Sequence, residues 1–238
     1  MKSAVIISLG LSMISGCSTW KTSKAPANGS LQSPAPDAPQ FYFASMNATY
    51  FGGQGRLKGE LGLIVFAPDK ILLEVRGPGG NPVSTFACNG QDVSLFELEG
   101  PRFYKGPANP LSMARLLPLP VEPEIAVNLL LGRLPMPNDA TNYQTKGQAQ
   151  QLSGVHPTLG VIIVTRYSPT HWTWQLPDDN LHLTLKDPTK SGVFRDILIK
   201  SKSDEVRLQL SEFDASGTAP DSKLFTLEPP PGVAVQPL

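Results

Sequence analysis

The 238-residue chain predicts a mainly β protein: an open antiparallel β-barrel or strongly curved sheet of about ten or eleven strands with a short helical lid. Three observations carry this expectation. First, the chain holds 24 prolines, roughly double ordinary usage. Each one removes a backbone donor and clashes with the preceding turn, which excludes long helices and coiled coils. Second, most of the body alternates apolar and polar residues with period two, and turn residues interrupt it at short spacing. Third, the alternation breaks only between Pro107 and Pro137, where two short apolar helical runs are framed by proline. A 40% hydrophobic content is enough for one sizeable core, and 20 basic against 20 acidic residues leave no basic face for nucleic acid.

In chain order, Met1-Lys2 is a short positive start and Ala4 to Ile14 an apolar run. As a helix that run spans about 16 Å, short of the roughly 30 Å bilayer core, so residues 1–16 read as a signal peptide. Ile14-Ser15-Gly16-Cys17 resembles the bacterial lipobox, in which the cysteine is acylated and becomes the first residue after cleavage. On that likeness Cys17 is the lipidation site, carrying diacylglycerol and an N-acyl chain such as palmitate; the other reading is an ordinary signal peptide with Cys17 incidental. Several acyl chains hold a protein far more firmly than one. Ser18 follows the cysteine, where enteric bacteria place Asp to retain lipoproteins at the inner membrane, so the likeness implies the outer membrane, facing the periplasm. Residues 17–39 lack periodicity and are rich in Ser, Ala and Pro, as in an extended tether, and the globular domain runs over 40–228. With Cys17 lipidated, Cys88 has no partner for a disulfide and reads as a small core residue.

The first strands follow. From Arg56 to Phe66 the odd positions Leu57, Leu61, Leu63 and Val65 form one apolar face, and Gly52, Gly53, Gly55 and Gly59 mark a bent strand. Lys70–Arg76 returns with Ile71, Leu73 and Val75 on one face. After the turn at Gly77–Asn81, Val83–Cys88 and Asp92–Leu98 form a hairpin through Asn89-Gly90, with Val93 and Leu95 on one face. Phe103 and Tyr104 begin a further edge strand. The second half predicts strands at Gln144–Leu152, Leu159–Tyr167, Thr170–Leu176, Asn180–Lys186, Val193–Ser201 and Glu205–Leu210. No internal repeat of 20–50 residues argues for a propeller.

Between the halves, Asn109-Pro110 supplies an N-cap and a proline at the first helical position for Leu111–Leu117, which Pro118 stops. Pro123 opens a second helix through Leu131, closed by Gly132. Its residues are apolar almost all round, so it must be covered on nearly every side or face an apolar cavity. The closing residues 229–238 read as a Pro-rich tail.

Leu116-Leu117-Pro118-Leu119-Pro120, then Val127 to Pro135, then Asn138-Asp139-Ala140-Thr141-Asn142-Tyr143 resemble the helical segment of the outer-membrane lipoprotein receptor LolB, in the LolA/LolB superfamily. Leu72 to Gly80 and Trp172 to Thr184 resemble other strands of that family. The resemblance implies an open barrel with a helical lid over an apolar cavity. It also implies receipt of lipoprotein acyl chains from a soluble LolA-like carrier and their release into the outer membrane. Two departures mark the chain as a divergent member. Gly79 stands where the family has an exposed leucine, and the ending Phe225 to Val233 is closer to the LolA side.

Taken with that resemblance, the candidate cavity wall is Leu57, Leu61, Leu63, Val65, Ile71, Leu73, Val75, Val93 and Leu95, although either strand face could point inward. The candidate lid is Leu116, Leu117, Val127, Leu130 and Leu131. No enzyme is expected. His156, His171 and His182 lack metal-ligand spacing, and no nucleophile elbow or phosphate loop is present, so no catalytic residue, metal or cofactor is assigned. Trp172 and Trp174 read as core or cavity wall. The expected function is that of a monomeric outer-membrane lipoprotein that binds acyl chains and takes part in lipoprotein localisation or insertion. The alternative is a structural or adaptor envelope lipoprotein whose core fills itself and whose surface binds a protein partner.

Overall fold

The computed structural model describes residues 21–23, 31, 38–53, 55–114, 119–137 and 139–238. The predicted signal peptide, Cys17, and Leu116 and Leu117 of the predicted lid lie outside the described residues.

Period-two alternation dominates the chain, and the result is one large, curved, unclosed sheet. Its strands are β1 (Lys21–Ser23), β2 (Phe41–Gly52), β3 (Gly55–Phe66), β4 (Lys70–Arg76), β5 (Pro82–Cys88), β6 (Asp92–Glu97) and β7 (Arg102–Pro107). The second half adds β8 (Asp139–Lys146), β9 (Ala149–His156), β10 (Gly160–Ser168), β11 (His171–Leu176), β12 (Leu181–Pro188), β13 (Phe194–Lys200), β14 (Glu205–Asp214) and β15 (Val235–Pro237). The spatial order is β1-β8-β9-β10-β11-β12-β13-β14-β2-β3-β4-β5-β6-β7-β15. Two antiparallel meanders therefore meet where β14 pairs with β2, and all neighbours are antiparallel except β15 on β7. The mainly β, strongly curved architecture expected from the sequence is the one observed.

The strand count exceeds the expected ten or eleven for identifiable reasons. β2 is missed because Phe41, Phe43 and Phe51 place aromatics on the outer face while Tyr42, Ala44 and Met46 fill the inner one, so the alternation is blurred. The run Gln144–Leu152, read as one strand, is two: Gly147 takes φ +60 in the turn between β8 and β9. The three-residue strands β1 and β15 are too short to leave a periodic signal.

Inner-face residues follow from register. Across β14, β2, β3, β4 and β5 one row reads Leu210, Met46, Leu61, Val75 and Ser84, and another passes from Tyr42 through Val65 and Ile71 to Cys88. Of the two faces the sequence left open, the inward one is that of Leu61, Leu63, Val65, Ile71 and Leu73, all buried. Trp172 and Trp174 are buried in the same core, and the Trp174 indole donates to the Pro135 carbonyl at 3.0 Å.

Two helices lie between the meanders. In α1 (Pro110–Met113) the Asn109 side chain accepts from the Ser112 amide at 2.9 Å, the expected cap. In α2 (Pro123–Leu130) the chain ends in a Schellman motif: the Arg133 amide reaches Asn128 O at 2.8 Å, the Gly132 amide reaches Leu129 O at 3.1 Å, and Gly132 takes φ +78. The segment before the domain is attached to it at several points. β1 pairs with β8, Leu31 is only 5% exposed within the core, and Arg133 donates to the carbonyls of Ala38 and Pro39. At the other terminus Phe225 is buried against Phe66, and the residues read as a tail end in β15.

Candidate functional site

Among the described residues the inner face is filled at one end and open at the other. α2 covers the end marked by Tyr42, whose buried hydroxyl donates to the Leu130 carbonyl at 3.2 Å. Leu119, Ala126, Leu129 and Leu130 pack there on Leu183, Leu185, Ile197 and Ile199, leaving a void of only about 10 Å³. That is at the lower limit for a single water. Val127, Leu130 and Leu131 of the predicted lid are therefore core residues, and the nearly all-round apolar character of α2 is explained by burial.

Toward the other end the inner-face side chains shrink. Ala48 and Gly59 face each other across β2 and β3, where larger residues occupy the preceding rows. A cavity of about 350 Å³ results, walled by Ala48, Tyr50, Leu57, Leu61, Leu73, Val75, Val83 and Val206. Gly59 permits its shape: a Cβ there would lie 2.5 Å from the Arg76 carbonyl oxygen, so only glycine lets β3 and β4 approach this closely. The cavity opens beside the β2–β3 and β4–β5 turns, where Leu57 is 53% and Val83 38% exposed.

Of the nine wall candidates, Leu57, Leu61, Leu73 and Val75 line this cavity. Leu63, Val65, Ile71 and Val93 are buried in the core instead, and Leu95 is partly buried against it. Of the predicted lid, the described residues Val127, Leu130 and Leu131 do not line the cavity. Sequence reasoning missed Ala48, Tyr50, Val83 and Val206. The signal that was available is the pair of small residues, Ala48 and Gly59, at inward positions of long strands.

The polar groups at the mouth are few. Lys58 and Arg76 border it from outer-face positions, Arg76 opposite Glu60 in register and Lys58 two residues before Glu60, and the Arg56 guanidinium lies 5.1 Å from the centre of the outer-face Phe51 ring. Arg76 Nε donates to Glu74 Oε1 at 2.6 Å. The Tyr50 hydroxyl donates to Asp204, whose carboxyl is held below the usual range by the Ser203 hydroxyl and then by Tyr50. Gly79 and Gly80, at φ +96 and +80, form the exposed β4–β5 turn with no apolar side chain at its tip.

A second depression, of about 500 Å³, lies on the outer face and includes Phe43, Gly62, Ile64, Leu72, Glu74, Arg76, Glu212 and Asp214. It is larger but rimmed by charged side chains, so the inner cavity is the better apolar site. Among the described residues no cluster of histidine, cysteine and carboxylates has metal-binding geometry. Cys88 is buried, and burial pushes its thiol up to about 11, far from a reactive thiolate.

No known family model matches the sequence, and no curated protein matches it. Among solved structures the chain is similar to a DUF1329 family protein from Desulfovibrio piger, with 11% identity, a TM-score of 0.51, and coverage of 79% of this chain and 90% of that one. It is also similar to a LolA superfamily protein from Nitrosomonas europaea, with 11% identity, a TM-score of 0.46, and coverage of 81% and 91%. A third is a putative outer membrane lipoprotein-sorting protein domain from Vibrio parahaemolyticus, with 10% identity, a TM-score of 0.45, and coverage of 77% and 88%. The likeness is one of fold.

Proposed function

We propose that this chain is a lipid-binding lipoprotein of the bacterial outer membrane, anchored through Cys17, facing the periplasm and acting without covalent chemistry. It takes acyl chains into the inner-face cavity and serves lipoprotein localisation or insertion as a LolB-like acceptor, working as a monomer with a LolA-like carrier. The observation that carries the reading is the open, almost wholly apolar cavity of about 350 Å³ at the uncovered end of the sheet. Each methylene buried there contributes about 0.8 kcal/mol, so a long chain gains ample affinity without polar recognition. The LolB-like sequence segment around α2 and the shared fold support it. No helix among the described residues is long and apolar enough to cross a membrane, and a Cys17 anchor would supply the attachment. Gly79 offers no apolar residue for membrane contact, and Leu57 and Val83 present the apolar surface at this end instead.

The test is to express residues 18–238, which include every described residue, and to extract and weigh bound lipid by mass spectrometry. Stoichiometric acyl lipid is expected. Palmitate labelling of the full chain and of Cys17→Ala tests the anchor separately, with label expected only on the former. One observation favours a second reading: α2 already fills much of the inner face, leaving the void of about 10 Å³. A structural or adaptor lipoprotein would need no more, and a lipid-free preparation that also refuses added fatty acid would establish that reading over the first.

A further inference from the structure

Among the described residues, Tyr50 is the one aromatic side chain that walls the inner cavity. On the reading that the cavity takes lipid, we infer that Tyr50 is its gate. Held at the rim by Asp204, the ring leaves the cavity open; released, it closes the cavity by filling the space over Ala48.

Register places the gate. Val206, Tyr50 and Leu57 stand opposite one another across β14, β2 and β3, as the outermost inward row. Behind them come the small residues Ala48 and Gly59, over which the cavity lies. The half-buried Tyr50 ring is turned away from that space, toward the end of β2. Its hydroxyl occupies the place a Cβ of Gly52 would take, and it donates to Asp204 in the turn before β14. Gly52 has no positive φ to accommodate, so what its missing side chain provides is room for the ring. The acceptor is itself fixed. The Ser203 hydroxyl donates to Asp204 Oδ2 at 2.6 Å, and the Ser201 amide donates to the Asp204 carbonyl at 2.8 Å.

An aromatic side chain in a strand has two common rotamers. One is the observed position over Gly52. The other turns the ring from the rim, where its same-face neighbour is Ala48, two residues back, with only a methyl group to oppose it. There the ring gains apolar burial against Leu61, Leu73 and Val75, and its hydroxyl loses the carboxylate. The two states thus trade buried area against a charge-assisted hydrogen bond. An acyl chain and the inward ring need the same space, so binding and closure exclude one another.

The experiment measures palmitate affinity by titration calorimetry on residues 18–238, with Tm recorded for every variant. Tyr50→Phe keeps the ring and removes the latch; binding should weaken about threefold or more, since apparent affinity falls with the open fraction. Gly52→Ala drives the ring off the rim and should weaken binding about tenfold or more. Tyr50→Ala removes the gate and should bind about threefold or more tighter than Tyr50→Phe. In that background the effect of Gly52→Ala should largely vanish, as coupled positions require. A mere wall contact gives the reverse order, with Tyr50→Ala the weakest and Tyr50→Phe equal to the unaltered chain. That order, or a folded Gly52→Ala chain with unaltered affinity, would overturn the inference and leave lipid binding standing. The two Tyr50 variants decide alone should Gly52→Ala fail to fold. An unaltered chain that binds no palmitate would remove the lipid-binding reading and this inference with it.

Discussion

At the scale of single residues, Gly59 is a glycine held tightly against another strand's backbone. Replacing it by Ala sets a methyl against the Arg76 carbonyl, and β3 and β4 must part at the cavity mouth. Overpacking of this kind costs about 1–3 kcal/mol. Gly62, three residues on in the same strand, is the control: its added Cβ would meet Glu74 Cβ at an ordinary 3.8 Å. Thermal unfolding should therefore show a clear fall in Tm for Gly59→Ala and almost none for Gly62→Ala. Cys88 gives a second check. It lies between Ile71 and Val93 in register, and its thiol, pushed up to about 11 by burial, stays protonated at neutral and mildly alkaline pH. Iodoacetamide at pH 8 is expected to leave the native chain unmodified and to alkylate it in urea. The core role of Cys88 was legible from its strand-like neighbours; the tight approach at Gly59 was not, because a glycine in a strand does not say which backbone it meets.

At the scale of elements, α2 is the most legible piece and Tyr42 the least. Pro123 and Gly132 mark the helix start and the C′ position in the sequence, and the absence of a polar stripe announces burial. The partner that fixes α2 comes from β2, a strand whose outer-face aromatics hide its alternation. Tyr42→Phe leaves the Leu130 carbonyl, one of the unpaired acceptors of a helix end, without its buried donor. Stability should fall by about 1–3 kcal/mol in denaturant unfolding, the range for a buried group left unsatisfied. Gly132→Ala, forced to hold φ +78, should cost about 1–2 kcal/mol in the same assay.

At the scale of the whole molecule, curvature was readable from period two, but which strand face points inward and how the inner face is divided were not. Nothing in the spacing of Leu116 to Leu134 says that α2 lies over the Tyr42 end rather than over the mouth. That placement depends on pairing between β14 and β2, residues more than 150 positions apart. Leu31, in a segment with the composition of a tether, is likewise buried in the core, a tertiary contact that composition does not show. The account of the molecule rests on the apolar space at the end α2 leaves uncovered. Ala48→Phe fills that space from a small, partly exposed wall position without adding charge. The decisive measurement is the affinity of this variant for palmitate against that of the unaltered chain, by titration calorimetry, with Tm recorded for both. The account expects binding weakened about tenfold or more, since two or more methylenes lose their place, with Tm unchanged or raised. Unchanged affinity in a folded variant would contradict it, because the ligand would then bind somewhere else.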